Sequence, residues 1–333
     1  VRVALTGGAG FIGSHLAERL LRDGHSVVAL DNFDATYPRE YKERNLEPAR
    51  EHTAYQFVEG DIRDGALVRE LMVRERPEVL IHLAARAGVR ASLIDSAGYL
   101  DVNLNGTLNL LEAAIEHGVK KVLFASSSSV YGANEKLPFS EADRVDRPVS
   151  VYAMTKKAGE ELCFTFHHLY GLDVVALRFF TVYGPRGRPE MAIHKFAHLI
   201  SSGEPIPVFG EGAMQRDFTF IDDIVDGCVA ALAHLVEGDR VYEVFNLAAG
   251  RTVALDDMIT LLEERLGARA VQRLLPMQPG DVRRTSGDIA KARDLLGYRP
   301  RIDIETGIER FVEWYQREIL TLPPDRRAAV FAS

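Results

Sequence analysis

The sequence predicts an α/β chain: a parallel sheet with helices on both faces, followed by a smaller α/β unit assembled from later segments. Three observations carry this expectation. Short apolar runs alternate with longer amphipathic stretches through the first half, and those runs are nearly continuous rather than polar on every second residue. After Phe180 the character changes to Gly, Pro and Arg-rich sequence with shorter elements. Strands buried on both faces lose the in-out alternation, and parallel neighbours need a crossover, usually a helix.

In chain order, "VRVAL" is a strand, a helix follows near Phe11–Arg22, and "SVVAL" is the second strand. "TAYQFVEG" precedes a helix from about Gly65, and "EVLIHLA" comes next. A long helix over roughly Tyr99–Glu116 leads to "KKVLFAS", and a helix over about Ser150–Tyr170 leads to "DVVALRFF". "TVYGPRGRPEM" reads as a loop leaving the sheet. A helix near Ala192–Ser202, the strand "IPVFG", and "RDFTF" entering a helix near Asp222–Leu235 come after it. "VYEVFNLA" returns to the sheet, and "DDMITLLEERLG" is a small amphipathic helix. The expected division is a nucleotide-binding domain over 1–180, with 219–250 returning to it. Residues 181–218 and 251–320 form the second domain, and 321–333 a loose tail.

Composition narrows the function classes. Apolar residues make up 47% and charged residues 26%, ordinary for a soluble globular chain. Forty basic residues against 48 acidic ones leave −8, which disfavours a nucleic-acid or anionic-membrane surface. Two distant cysteines, Cys163 and Cys228, fit a reducing compartment rather than a disulfide framework. The opening strand does not resemble a signal peptide, and no apolar run reaches the ~18 residues of a spanning helix. The expectation is a soluble, cytosolic protein. His82, His167 and His168 lack a matching ligand set, so no metal is expected.

The first strand ends in "TGGAGFIGSH", with Gly7, Gly10 and Gly13 spaced G-x-x-G-x-x-G before a helix. Glycine serves where the chain turns tightly and where backbone must approach a pyrophosphate. The helix N-terminus then offers free N–H groups to the phosphates. Asp31 closes the second strand, where a carboxylate accepts hydrogen bonds from an adenosine ribose and repels a 2′-phosphate. Together these features mark a Rossmann-type doubly wound sheet that binds NAD in preference to NADP. Asp61 in "GDIRD" is either an adenine contact or an ordinary turn acid.

"SVYAMTKK" places Tyr152 and Lys156 four apart, on one face of a helix. An ammonium beside a phenol lowers its pKa, so the phenolate can serve as a base near neutrality. This pair after a dinucleotide turn points to oxidation and reduction of an alcohol.

"TGGAGFIG", "LAA" at Leu83–Ala85, "SSSSVYG" and "YAMTKK" together resemble the extended short-chain dehydrogenase/reductase family of nucleotide-sugar enzymes. The likeness runs from Val1 to about Tyr315. Within the family, "DNFDATYPREYKERNL", "AARAGVRAS", "LRFFTVYGPRGRPEM" and "MQPGDV" are most similar to UDP-glucuronate 4-epimerases. The resemblance implies a Ser127-Tyr152-Lys156 triad, with Lys156 also on the nicotinamide ribose. It adds Phe11, Ile12, Asn32, Ile62, Leu83, Ala84 and Ala85 to the glycines, Asp31 and Asp61 as cofactor contacts. It further implies a 4-keto sugar that stays bound while hydride leaves C4 and returns to the opposite face.

The other serines separate relatives. Dehydratases of this family carry Asp-Glu at positions 128 and 129, and decarboxylases carry Glu at 129. Here Ser128 and Ser129 are hydroxyls, able to donate to a uronate carboxylate, or simply a capped strand end. Thr181 and Arg188 match positions near that carboxylate. Arg216 matches a diphosphate contact, Val208 and Phe209 flank the uracil or simply pack the core, and Gln278 and Asp281 approach the ribose or phosphates. Arg90 lies in a loop that faces the substrate. Departures are Arg186 in place of Trp, Ser286 and Gly287 where the family pattern carries an aromatic, and a missing proline before Tyr99. The function implied is interconversion of UDP-glucuronate and UDP-galacturonate by a homodimer. Rivals are a UDP-glucose/UDP-galactose epimerase, a UDP-glucuronate decarboxylase, and a non-catalytic NAD sensor on the same fold.

Overall fold

The computed structural model describes residues 1–331 except 213, 279 and 281. Six strands follow one another into the sheet: β1 (Arg2–Thr6), β2 (Ser26–Asp31), β3 (Tyr55–Glu59), β4 (Val79–His82), β5 (Lys121–Ser127) and β6 (Asp173–Phe179). Tyr242–Leu247 joins beside β6, and the spatial order is Tyr242–Leu247, β6, β5, β4, β1, β2, β3, all parallel. Alternate residues of each strand feed two separate cores. Val3, Leu5, Val27 and Ala29 pack under the helices Phe11–Arg22 and Ile221–Glu237. Ala4, Val28, Leu30 and Leu80 pack under Gly65–Glu75, Gly106–Glu116 and Val151–Tyr170. Both cores are apolar, which is why the strands read as unbroken runs.

Beyond the sheet lie three small pairings. Thr181–Tyr183 runs parallel to Phe218–Phe220, Gln215–Arg216 antiparallel to Val253–Ala254, and Ile206–Phe209 parallel to Gln272–Leu275. The helices Ala192–Ser201, Leu255–Leu266 and Ile304–Glu318 cover them. Among the described residues no helix is long and apolar enough to cross a membrane.

The structure departs from the expected elements in three places. Arg39–Arg50 is a helix; it buries Lys42 and Asn45 as well as Tyr41, Leu46 and Ala49, so its core face is half polar in sequence. The long helix expected from Tyr99 is broken into Ser96–Leu100, a π-helical turn at Asp101–Asn105, and Gly106–Glu116. Within the stretch expected to be a loose tail, Pro324–Val330 is a helix, Val330 is buried, and the Phe331 ring stacks 3.8 Å from that of His198, while 332 and 333 lie outside the described residues. Next to it, Phe311 is fully enclosed by His194, Trp314 and Tyr315. Phe311→Ala is expected to cost about 3–5 kcal/mol, read as a lower urea midpoint at unchanged slope.

Candidate active site

The glycine turn joins β1 to the helix Phe11–Arg22. Gly7 has φ +76°, and a Cβ there would lie 2.7 Å from the Ala84 nitrogen. A Cβ on Gly13 would lie 2.1 Å from the Gly7 oxygen, so the helix start sits directly on the turn. Gly10 is the N-cap, Phe11 is buried and Ile12 partly so. At the end of β2 the Asp31 carboxylate accepts from the backbone N–H of Ala9 (3.1 Å) and Phe33 (2.8 Å), and burial raises its pKa. Asn32 donates to Asp61 at 2.8 Å, and Arg63 grips the same carboxylate, holding its pKa down at about 2. Ile62 is buried against Gly106. Leu83, Ala84 and Ala85 leave β4, with Leu83 N–H on the Thr6 carbonyl and Ala84 N–H on the Thr6 hydroxyl.

The serines end β5. Ser127 caps a 3₁₀ turn, Ser128–Tyr131, accepting from Ser129 N–H at 3.2 Å and donating to the Ser129 hydroxyl at 3.2 Å. Ser128 and Ser129 are partly exposed. Tyr152 and Lys156 stand on the first turns of the helix Val151–Tyr170, capped by Ser150. The Tyr152 hydroxyl is hydrogen-bonded to Ser127; burial raises its pKa, while Ser127 and the charge of Arg188 pull it down. Lys156 donates to the Ala125 carbonyl at 2.8 Å over the Phe124 ring, and burial lowers its pKa to about 8. The charge that acts on Tyr152 is that of Arg188. Desolvation pushes both Tyr152 and Lys156 toward their neutral forms.

Sequence reasoning missed several neighbours. Tyr99 meets Tyr152 edge-on at 6.3 Å, and its hydroxyl donates to the Ala87 carbonyl at 2.8 Å. Asn103, turned inward by the π turn, accepts from Arg86 N–H and donates to the Arg86 carbonyl and the Thr155 hydroxyl. It thus fastens the "AARAG" loop to the helix Val151–Tyr170. No spacing signal announces either residue. His82 is a core histidine, between the Thr6 and Thr107 hydroxyls and held down to a pKa of about 3 by burial.

The remaining candidates fall into two groups. Thr181 follows β6, and Arg188 pairs with Glu190 at 3.3 Å, close enough to act on Tyr152 and Tyr37. Farther along the cleft, the Arg90 guanidinium lies 4.2 Å over the Phe209 ring. Val208 is fully buried and packs in the core, and Phe209 beside it is partly open. Arg216 donates to the Gln215 and Arg283 carbonyls, and Gln278 to that of Pro276. Asp281 lies outside the described residues. Arg186, at φ +62°, contacts His15, Glu18 and the Asn45 carbonyl. A Cβ at Gly287 would lie 2.6 Å from the Ala248 Cβ and 2.9 Å from the Phe180 ring, so no side chain fits there.

The model of the NAD dependent epimerase/dehydratase family matches residues 3–248, and the chain belongs to this family. It is 43% identical to the probable UDP-glucuronate 4-epimerase of Rhizobium meliloti over 95% of this chain and 97% of that one. The UDP-glucuronate 4-epimerase of Thermodesulfobacterium geofontis is also 43% identical, over 95% and 96% of the two chains. The crystal structure of UDP-glucuronic acid 4-epimerase from Bacillus cereus, in complex with UDP-glucuronic acid and NAD, superposes with a TM-score of 0.90 at 36% identity. That match covers 95% of this chain and 99% of the other. NAD fits the residues present: the turn at Gly7, Gly10 and Gly13 has no room for side chains and leaves backbone N–H groups at a helix start, beside a ribose-competent carboxylate at Asp31.

The Lys156 environment predicts a pH signature. Its pKa falls from 10.5 to about 8 on folding, so between those values the unfolded chain holds more protons and stability rises with pH. Relative to Lys156→Met, the NAD-stripped protein should gain about 3 kcal/mol across that window in urea melts. A flat difference would show that Lys156 is not desolvated.

Proposed function

We propose that the chain interconverts UDP-glucuronate and UDP-galacturonate as an NAD-dependent 4-epimerase, an isomerase that keeps its keto intermediate bound. The observation that carries this is the serine turn: Ser127 is hydrogen-bonded to Tyr152, and hydroxyls at Ser128 and Ser129 stand beside it where elimination or decarboxylation needs acids. Bound NAD supplies the acceptor that takes hydride from C4 and returns it. Tyr152 takes the 4-hydroxyl proton and later gives it back, while Ser127 holds the oxygen in both states. Lys156 is assigned to the nicotinamide ribose. Ser128, Ser129, Thr181 and Arg188 are assigned to the C6 carboxylate. Holding it matters because a 4-keto uronate is a β-keto acid: it loses CO₂ when its C5–C6 bond aligns with the carbonyl π system.

Gly7, Gly10, Phe11, Ile12, Gly13, Asp31, Asn32, Asp61, Ile62 and Leu83–Ala85 are assigned to NAD. Phe209, Arg216, Gln278, Asp281 and Arg90 are assigned to the uridine diphosphate. On this division the sheet half, 1–180 with 219–250, binds cofactor, and 181–218 with 251–320 binds the nucleotide sugar. A cytosolic homodimer is part of the proposal. Exposed Phe164, Leu169 and Tyr170 on the catalytic helix, and Leu93, Ile94 and Leu100 on short helices, supply apolar surface for a second copy.

Incubation with UDP-glucuronate, followed by NMR of the sugars, should yield UDP-galacturonate without added reductant. UDP-xylose or a keto pentose as main product would overturn the assignment, and turnover of UDP-glucose alone would favour the neutral-sugar enzyme. Tyr152→Phe should lower kcat by about 10²–10⁴-fold with NAD content unchanged. Arg188→Ala should weaken UDP-glucuronate about 10–100-fold while sparing UDP binding, measured by calorimetry.

A further inference from the structure

Beneath the serine turn lies a buried ion pair that the mechanism above does not use. Glu160 and Arg178 have side-chain exposures of 2% and 4%. The Arg178 fork donates to both Glu160 oxygens at 2.9 and 2.8 Å. Glu160 stands one helical turn beyond Lys156, on the helix that carries Tyr152. Its carboxylate also accepts from the Ser126 hydroxyl at 2.5 Å, one residue before Ser127. The third arm of Arg178 donates to the Tyr131 hydroxyl at 3.1 Å, at the far end of the same turn. Tyr131 in turn donates to Asn246 on the outermost strand at 2.6 Å. The pair therefore grips Ser126 and Tyr131, which bracket Ser127, Ser128 and Ser129, and ties both to the catalytic helix.

Buried ion pairs of this kind often contribute little net stability compared with neutral packing, so stability alone does not account for one here. We infer that Glu160 and Arg178 are positioning residues that set the serine turn against Tyr152 and so decide whether the 4-keto uronate is reduced back or loses its carboxylate. Ser127 holds the C4 oxygen and its two neighbours hold the carboxylate; the inference rests on that assignment. A turn that shifts as a body changes the angle between the C5–C6 bond and the carbonyl. Decarboxylation then breaks C5–C6, sends its electron pair into the 4-carbonyl as an enolate, and C5 takes a proton from solvent. The epimer is lost because the carboxylate has left C5: hydride returned to C4 then gives a pentose, and without that return the product is the 4-keto pentose with the cofactor left reduced.

The test uses the NAD-loaded protein and UDP-glucuronate labelled with ¹³C at the carboxylate, scoring labelled CO₂ against UDP-galacturonate. Glu160→Gln alone leaves a buried arginine unpaired, so the informative variant is Glu160→Gln with Arg178→Gln, which removes both charges. Expected are native circular dichroism and NAD content, a kcat lower by about 100-fold, and a CO₂-to-epimer ratio higher by about tenfold. Ser126→Ala loosens one bond without burying charge and should raise the ratio about threefold. A folded double variant with unchanged ratio and kcat overturns the inference. Should the double variant not fold, Ser126→Ala decides, and an unchanged ratio there overturns it. If the unaltered protein gives no epimer, the functional assignment itself fails, an outcome distinct from either.

Discussion

The site depends on one constraint, the common direction of the strands. Because all the strands of the main sheet are parallel, every strand hands its chain to a loop at the same edge. β1 lies between β2 and β4, so the chain first builds outward through β2 and β3, then returns to the other side of β1. Loops leaving β1 and β4 diverge at that reversal and open a crevice. Gly7 fits against Ala84 at its floor, where a side chain would collide with backbone. The serine turn after β5 and Thr181 after β6 continue the same edge, so cofactor and sugar candidates become neighbours without any segment being extended to reach them.

Burial at that edge controls the charges. It raises the pKa of Tyr152 and Asp31 and lowers that of Lys156, the desolvation signature for acids and bases respectively. Opposing it at Tyr152 are a hydrogen bond from the serine turn and the field of Arg188. Arg188 belongs to a loop after β6, so the acidity of the phenol depends on a residue from a different segment of the chain.

The sheet was legible in sequence because its strands are short and apolar and its turns carry glycine or acid at fixed places. Tyr152 and Lys156 were legible because helical spacing alone puts them on one face. Other features had no local signal. The helix Arg39–Arg50 buries a lysine whose ammonium donates to the Asp34 carbonyl and an asparagine that donates to the Ala9 carbonyl, so its inward face does not look apolar. Asn103 depends on a π turn, a local change of helical period that shifts which side chains face inward. Val208 and Phe209 are adjacent yet have opposite fates, since a strand alternates its faces. The contacts of Ser127 with Tyr152 and of Arg90 with Phe209 join segments far apart in sequence, which periodicity does not encode.

Arg186 shows how the two halves are joined. A non-glycine residue in the left-handed region costs about 1–2 kcal/mol, and an arginine gains nothing from the conformation itself. What it obtains is reach: the guanidinium meets Glu18 and His15 on the first helix and the Asn45 carbonyl on the second. Next to it, the Gly187 carbonyl accepts from the Tyr41 hydroxyl at 2.9 Å and bonds the buried His194 ring at 2.8 Å. Arg188 follows immediately, so the cation that acts on Tyr152 hangs from a segment clamped on three sides. An aromatic ring at position 186 could pack in that place but could not hydrogen-bond three acceptors across the gap. Arg186 therefore holds the loop by charge and hydrogen bonding, and leaves it anchored to the helix whose N-terminus faces the glycine turn.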